Sequence, residues 1–478
     1  MHTYVSVPAP GASPPVLGAW IEAYRFVYDS AGTIDDGVRK YGADGRTFKI
    51  STPARWIVVS TNLGVLKELK DANESVLSIQ AAADERNSIK YILSSSIHRD
   101  PYHVKIISKY LTLRLETILP EIVEEVCLIF RETLTVGDEW IQIKDYENLL
   151  SRCVSATTNK ILVGLPLCRD REYLDCLVQL SKRLSRAGLF CDFVPPILKS
   201  LIANSLVRRS RVLQTFLSKL GPVFEQRRMT LASRSGKWEE KPNDVIQGII
   251  KAAPPNTSLY NLCIRILYLD FSAIHTTTIS ITHALHNLAT HTEFQDPIRD
   301  EIECVLRNSG GWTKQALKDM RKLDSSLKES QRLHPVTTAT LMRKALKPCI
   351  LSDGTHIPKG QWVVTPAYSI NRSAQYHSNP ENFDAFRFSR LAELDVRRTR
   401  QGIAFPNSGY LSFGIGKYAC PGRFFAAAEL KVLVAYIICN YDFKMSNNKR
   451  PRNKFFSFLY SPDFSAKLLF KKRFSDSD

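Results

Sequence analysis

A helical repeat of apolar residues runs through the long middle part of this chain and constrains its fold more than any other feature. From about residue 63 to residue 332, apolar residues recur at spacings of three and four, which is the period of one buried helix face. The pattern is clearest in the segments 119–135, 145–164, 173–188, 207–228, 258–290 and 317–333. The sequence therefore predicts a mostly helical body.

Strand patterns flank this helical region. Runs of β-branched and aromatic residues predict a hairpin before it and short strands after it. The predicted strands are 47–50, 56–59, 340–344, 350–357 and 362–365. The stretch 371–412 is predicted to be rich in loops, and its length indicates either a functional role or packing over another part of the protein. A final helix is predicted over 423–439. The predicted fold class is mainly α with a small β region.

The domain organisation follows from the lack of any repeat, low-complexity tract or long linker in the sequence. Residues 1–40 contain several prolines and glycines and are predicted to be a lead-in or hinge with a short amphipathic helix. Residues 41–478 are predicted to be a single domain. The apolar run 259–289 contains charged residues, so it is predicted to be a buried core helix, and we expect no transmembrane anchor in this sequence.

The net charge favours an acidic partner. Lys and Arg number 65 against 47 Asp and Glu, a formal charge of +18 that attracts acidic surfaces over a distance. The charge is spread along the chain, and no zinc-finger spacing, basic zipper or RNA-binding strand motif accompanies it. We therefore expect no nucleic acid partner. Three explanations of the charge remain open: an ordinary solvated basic surface, binding to an acidic redox protein, and binding to an anionic membrane surface.

One of the ten cysteines lies in an unusual setting. The cysteines show no close pairs, so most are expected to be buried small hydrophobes rather than disulfide or metal partners. Cys420, however, follows a segment that begins at Phe413, and it directly precedes the last long helix. A helix N-terminus stabilises a thiolate, and glycines at 414, 416 and 422 permit tight turns and close approach to a flat macrocycle. These features suit a stabilised thiolate beside a flat macrocycle.

Two further clusters lie on predicted helices. Glu329 and Arg332 are one turn apart, so they share a helix face. In the helix 258–290, Ser272, His275 and Thr276 lie in a patch of small and polar residues. A gap and a hydroxyl in mid-helix can hold water beside a bound dioxygen, and an imidazole titrates near neutrality.

Four segments resemble, in chain order, the motifs of the cytochrome P450 superfamily: the Thr276 segment, Glu329-Ser330-Gln331-Arg332, Asn382-Phe383-Asp384-Ala385-Phe386-Arg387 and the Cys420 loop. The resemblance implies a helical body with a long central helix over the heme and short β-sheets. It covers nearly the whole chain from about residue 40.

The resemblance also implies roles for single residues. Cys420 becomes the axial thiolate ligand of heme b, with Phe413 and the three glycines in its loop, and Arg387 joins Glu329 and Arg332 in a structural core. Thr276 becomes the proton-relay threonine, with His275 in place of the usual acid. Arg343 stands where the family often has a propionate-binding arginine, and Tyr418 where it has Arg or His. The family's Trp-x-x-x-Arg motif is absent, and His103 and Arg114 are candidate substitutes.

The implied activity is a monooxygenase reaction. One oxygen atom from O2 would enter a hydrophobic small molecule, such as a fungal terpenoid, with electrons from NADPH through a separate flavoprotein reductase. By resemblance the protein belongs at the cytoplasmic face of the endoplasmic reticulum, as a peripheral or soluble protein unless its true start lies upstream. Two alternatives stay open: a heme-thiolate isomerase or dehydratase acting on a peroxide, and a heme-binding module without turnover.

Overall fold

The structure, a computed structural model, describes residues 7–9, 15–233, 242, 244–394 and 401–473. Its α-helices, α1 to α19 in chain order, are Pro15–Tyr28, Ser30–Tyr41, Leu63–Asp71, Ile79–Asn87, Ser96–Arg99, Tyr102–Leu113, Leu115–Thr133, Tyr146–Leu162, Arg171–Asp192, Pro196–Ala203, Arg211–Ser233, Val245–Ala252, Leu259–Thr290, Gln295–Asn308, Lys314–Asp319, Arg321–Leu333, Ala367–Asn371, Arg387–Leu394 and Arg423–Asn440. Its strands, β1 to β12, are Phe48–Ser51, Trp56–Val59, Leu77–Ser78, Ile141–Gln142, Thr340–Ala345, Cys349–Ile350, His356–Ile357, Trp362–Thr365, Tyr441–Met445, Lys454–Phe456, Leu459–Ser461 and Leu468–Lys472. The prediction of a mainly helical fold with small β-sheets is confirmed.

The chain forms two compact units. The first unit comprises Met1–Asn87, Lys328–Cys420 and Pro451–Asp463, and the second comprises Ser88–Leu327, Pro421–Arg450 and Phe464–Asp478. The prediction of a single domain over 41–478 stays a prediction.

A five-stranded sheet organises the first unit, in the order β1-β2-β8-β5-β3. Strand residues alternate between its two faces, as the period of two requires. Ile57 and Val59 pack with Phe26 of α1 in one core cluster, whereas Val58 packs with Leu66 of α3 in another. The sheet is therefore covered by helices on both faces.

Helix α13 organises the second unit. Its 32 residues span about 48 Å at 1.5 Å per residue. Ser258 caps it by accepting a hydrogen bond from the Asn261 N–H, and α8, α9, α11 and α19 pack against it. Strands β4, β12 and β9 form a small antiparallel sheet in the same unit.

The predicted strands are confirmed closely. Strands β1 and β2 form the expected antiparallel hairpin, and β5, the β6–β7 pair and β8 occupy the three later segments. The loop prediction for 371–412 was wrong in part, because α18 lies inside it. Only three α18 residues are buried, Arg387, Phe388 and Ser389, so its eight residues give no periodic apolar signal. Among the described helices, none is long and apolar enough to cross a membrane.

Candidate active site

The Cys420 loop is a tight turn in the first unit. The Cys420 N–H donates to the Phe413 carbonyl oxygen at 2.8 Å, which closes the loop on itself. Gly414 and Gly416 have φ angles of +66° and +78°, a region that favours glycine. A Cβ on Gly416 would lie 2.0 Å from Lys70 Cγ, so this position also lacks room for a side chain. The backbone therefore requires glycine at both positions.

Gly422 differs from these two glycines. Its φ is −91°, which any residue adopts, and a Cβ there would meet no described atom within 4 Å. It stands at the N-cap of α19, where its carbonyl accepts the Ala426 N–H at 2.9 Å. Gly422 lies in a turn, as predicted, but without the positive φ of Gly414 and Gly416, and its predicted close approach to a macrocycle stays a prediction.

Arg343 is a fully buried cation near the cysteine loop. Its guanidinium donates to the carbonyl oxygens of Leu69 at 2.8 Å and Met342 at 2.9 Å, and it lies over the Tyr418 ring at 5.0 Å. Burial lowers its pKa. Among the described residues it has no carboxylate ion pair, and its buried Nε has no hydrogen-bond partner. The structure thus brings Arg343 and Tyr418 together and leaves a positive charge to be neutralised.

Glu329, Arg332 and Arg387 meet in the core of the first unit. The Arg332 guanidinium binds Glu329 through two bonds, Nε to Oε2 at 2.7 Å and Nη2 to Oε1 at 2.8 Å. The Arg387 Nε donates to the same Oε1 at 3.0 Å. Glu329 and Arg332 are 0% exposed. Arg387 begins helix α18 rather than lying in a loop, which corrects the prediction of its local structure.

The two cations also hold the backbone that surrounds them. Arg332 Nη1 donates to the carbonyl oxygens of Asn371 at 2.8 Å and Pro380 at 2.7 Å, and Arg387 Nη2 donates to Asn382 O at 3.1 Å. Charged donors to carbonyl oxygens make strong hydrogen bonds in a buried site. One carboxylate therefore fixes the path of residues 371–387.

Helix α13 exposes part of its middle in the second unit. Ser272 and Thr276, one turn apart, are exposed, whereas Ile274 and Thr277 are buried. The Thr276 hydroxyl donates to the Ser272 carbonyl oxygen at 2.9 Å, so its lone pairs stay available on the open side. The structure thus presents a hydroxyl of the predicted kind.

His275 faces a different neighbour. Its ring hydrogen-bonds to the Ser181 backbone of α9, and burial lowers its pKa, so the imidazole is neutral at pH 7. Its buried Nε2 has no partner among the described residues. The Nε2 atom of His275 is therefore available as a proton acceptor, whereas its one N–H is already used in a hydrogen bond.

The two candidate substitutes for the missing propionate motif each have one partner, but each also has a buried atom without a hydrogen-bond partner among the described residues, His103 Nε2 and Arg114 Nη1. His103 Nδ1 lies 3.0 Å from Arg265 Nη1, and burial lowers the His103 pKa to about 3. Arg114 lies over the Tyr110 ring at 4.3 Å. Neither contact was visible in the sequence.

Sequence reasoning also missed buried acids of the second unit. Glu429 of α19 and Asp270 of α13 are both 0% exposed. Each is a lone acid in a largely apolar helix segment, which is the signal that would have found it. Burial raises both pKa values, that of Glu429 to about 7.

The residues of the first unit fit a thiolate-ligated heme. The cysteine loop places its thiol after two glycines of positive φ, and Arg343 supplies a buried cation with an unpartnered Nε for an anionic group. Cys420 directly precedes a helix N-terminus, which stabilises a thiolate. These are the donors that an anionic, iron-containing macrocycle requires.

Comparisons with known proteins cover almost the whole chain. The sequence profile described as Cytochrome P450 matches residues 94–470. The chain is 34% identical over 475 residues to "Cytochrome P450 monooxygenase 151" of Postia placenta, covering 98% of this chain and 94% of that protein. It is 31% identical to "Cytochrome P450 monooxygenase atmQ" of Aspergillus flavus, covering 98% and 89%.

A solved structure resembles the fold. "Retinoic acid bound cyanobacterial CYP120A1" aligns with a TM-score of 0.73 and 18% identity, covering 98% of this chain and 99% of that one. At this identity the likeness concerns the fold alone.

Replacing Glu329 with Gln is expected to destabilise the protein by about 3–5 kcal/mol, because two buried guanidinium groups lose their charge partner. Urea unfolding followed by circular dichroism measures this loss. The matched control is Arg390→Ala, three residues beyond Arg387 in α18. The Arg390 side chain, which pairs with Asp384, is 56% exposed, so its removal is expected to change the free energy of unfolding by no more than about 1 kcal/mol. Equal effects of the two substitutions would contradict the central role of Glu329.

Proposed function

The chain belongs to the cytochrome P450 family, and from that premise we propose that it inserts one oxygen atom from O2 into a hydrophobic small molecule of fungal secondary metabolism. The comparisons with known proteins confirm the family, the fold and the monooxygenase class that were predicted from the sequence. A terpenoid is the proposed substrate class, and the relatives support only the fungal part of this proposal, since both are named as monooxygenases of fungi. The proposed electron source is NADPH, through a separate flavoprotein reductase. The observation that carries the proposal is the Cys420 loop.

The proposed cofactor is heme b, whose iron would be bound by the Cys420 thiolate. When bound, this group would supply the site of dioxygen reduction and the oxidant. The chain would hold it through the thiolate, through the turn from Phe413 that contains Gly414 and Gly416, and through Gly422 at the start of α19. Arg343 is proposed to neutralise a propionate, supported by its buried unpaired charge, with Tyr418 stacked on the guanidinium. Glu329, Arg332 and Arg387 are proposed as a structural core.

Thr276 is proposed to hold and move a proton at Oγ1. Its hydroxyl proton points to the Ser272 carbonyl, and its lone pairs on the open side of α13 can accept hydrogen bonds from water. His275 is the second proposed participant. Because its ring is neutral and its N–H is directed to α9, it acts as a proton acceptor at Nε2 rather than as an acid.

The proposed partners follow from charge and from the exposed face of α1. A net charge of +18 suits an acidic reductase surface. Large apolar side chains at spacings of three and four form one exposed stripe on α1: Leu17, Trp20, Ile21, Tyr24 and Tyr28, each between 58% and 71% exposed. Such a stripe, rich in Trp and Tyr, is typical of a helix lying in a membrane interface. We place the protein at the cytoplasmic face of the endoplasmic reticulum, in peripheral contact through α1.

Thiolate ligation is tested by the absorption spectrum of the dithionite-reduced protein with carbon monoxide. A strongly red-shifted Soret band is expected in the parent, and it should be lost in Cys420→Ser because a serine hydroxyl does not supply a thiolate. Cys304→Ser is the control, since Cys304 is an exposed free cysteine, and it should keep the band. An imidazole-like band in folded parent protein would refute the proposed function.

Removing the Thr276 hydroxyl is expected to uncouple the reaction. In Thr276→Ala, product formed per NADPH consumed should fall about tenfold, with the difference released as peroxide, because the proton carrier on α13 is gone. Thr276→Ser keeps a hydroxyl and should retain most of the coupling. Product and peroxide are measured together with NADPH consumption in a reconstituted system. Unchanged coupling in the alanine variant would remove Thr276 from the mechanism.

Membrane contact is tested by flotation with vesicles of phosphatidylcholine and phosphatidylserine. The double substitution Trp20→Ser, Tyr24→Ser should weaken binding about tenfold, since two interfacial rings are lost from α1. Trp140→Ser removes another exposed ring, 39% exposed, and should bind like the parent. If the Trp20→Ser, Tyr24→Ser variant binds the vesicles as strongly as the parent, α1 is not the membrane contact.

A further inference from the structure

Arg265 of α13 is a buried cation that has no carboxylate partner. Its side chain is 2% exposed. Its Nη1 donates to the Asp100 carbonyl oxygen at 2.8 Å, and its Nη2 donates to the Ser96 carbonyl oxygen at 3.3 Å. Its Nε has no hydrogen-bond partner among the described residues, and the negative charge of Asp100 acts on it only through space, without an ion pair. The second unit therefore contains a buried positive charge that no described carboxylate neutralises by direct contact.

His103, in the first turn of α6, adds an N–H donor to the same cluster. Its Nδ1 lies 3.0 Å from Arg265 Nη1, and a guanidinium can only donate, so Nδ1 accepts this hydrogen bond. Burial and the charge of Arg265 lower the pKa of His103 to about 3, so the ring is neutral and carries its single proton on Nε2. This buried Nε2 has no acceptor in the part of the chain that the structure describes.

Tyr102, the first residue of α6, supplies a third donor. The Arg265 guanidinium lies over its ring, 4.0 Å from the ring centroid. Burial raises the pKa of the phenol, so the hydroxyl keeps its proton at pH 7. The hydroxyl oxygen is buried, and none of the described residues forms a hydrogen bond with it. Buried donors without acceptors are unfavourable, so three of them beside one cation indicate a site for an external acceptor.

The acceptor that fits this cluster is a carboxylate. Its two oxygens accept several hydrogen bonds, and arginine binds carboxylates through strong, charge-assisted hydrogen bonds. The N-terminus of α6, where Tyr102 and His103 lie, also favours a negative group. One cation balances one negative charge, whereas a phosphate dianion would leave an excess charge in a buried place.

The face of α13 that carries Arg265 also carries Thr276. The two residues are eleven positions apart, about three helical turns, so they share a face and lie about 17 Å apart along the helix axis. On the same face Tyr268 is half-buried and Ser272 is exposed, so the face becomes more open from Arg265 toward Thr276. An elongated ligand held at Arg265 can therefore extend along α13 to Thr276.

We propose that Arg265, His103 and Tyr102 bind a carboxylate carried by the hydrophobic substrate, which then lies along α13 with its oxidation site beside Thr276. The inference rests on the proposed function and narrows its substrate class to elongated hydrophobic acids. Arg265 neutralises the carboxylate, and the His103 Nε2–H and the Tyr102 hydroxyl each donate one hydrogen bond to it. These side chains determine specificity and orientation and take no part in the reaction itself.

The first test is ligand binding to the purified holoenzyme by isothermal titration calorimetry. The probes are geranylgeranoic acid, a linear terpenoid acid, and its methyl ester, which has the same hydrocarbon part and no charge. The acid should bind about tenfold more tightly than the ester, because the ester lacks the charged acceptor for Arg265. Equal affinity for the two probes, or no binding of the acid, overturns the proposal.

The second test compares tyrosine variants of α6. Tyr102→Phe removes one hydroxyl and keeps the ring under Arg265, so affinity for the acid should fall about fivefold while affinity for the ester stays the same. Tyr110→Phe is the matched control, since the Tyr110 ring also lies under an arginine, Arg114, at 4.3 Å. It should bind both probes like the parent.

Arg265→Met removes the charge and should abolish the preference for the acid. Circular dichroism shows whether this variant folds, and Tyr102→Phe keeps the test decisive if it does not. An unchanged preference for the acid in folded Arg265→Met, or an unchanged affinity for the acid in Tyr102→Phe, overturns the proposal.

A propionate of the proposed heme is the other source of a carboxylate, and heme retention distinguishes the two. If the substrate supplies the carboxylate, heme should pass to apomyoglobin no faster from Tyr102→Phe than from the parent. Faster heme loss with an unchanged preference for the acid assigns the cluster to the cofactor and overturns the inference.

The outcomes also separate this inference from the proposed function. A parent that shows the thiolate-type spectrum but binds acid and ester equally keeps the monooxygenase assignment and loses the carboxylate site. A parent without that spectrum loses the proposed function, whereas calorimetry still shows whether the Arg265 cluster binds the acid.

Discussion

The first unit depends on one buried carboxylate that neutralises two buried guanidinium groups. Glu329 binds Arg332 of its own helix and Arg387 of α18, and the remaining donors of both cations hold carbonyl oxygens between residues 371 and 387. A buried charge without its partner is strongly unfavourable, so the three groups stabilise each other only together. The segment that leads toward the cysteine loop is thereby fixed to α16.

The cysteine loop adds a second constraint, which is mainly one of backbone. Gly414 and Gly416 adopt left-handed conformations, and the Cys420 N–H is bonded to Phe413 O. Nearby, Arg343 is buried, and its Nε has no hydrogen-bond partner among the described residues. The left-handed glycines and the hydrogen bond from Cys420 to Phe413 fix the backbone that leads to Cys420, which suits the thiolate ligation proposed for this loop.

Helix α13 separates two chemical environments in the second unit. Its open side carries the Ser272 and Thr276 hydroxyls, and its buried side carries Thr277 against Glu429. Burial raises the pKa of Glu429 to about 7 and lowers the pKa of His275, so burial favours the neutral form of both side chains.

The sequence alone determined the family, the helical body and the hairpin, because these depend on local periodicity, turn chemistry and motif spacing. It placed Glu329, Arg332 and Arg387 in one cluster only through the family resemblance. Only the tertiary structure decided that His275 faces α9, that His103 pairs with Arg265, and that Glu429 meets threonines of two other helices. These contacts join residues distant in sequence, and burial, which sets their protonation, is a property of the packed chain.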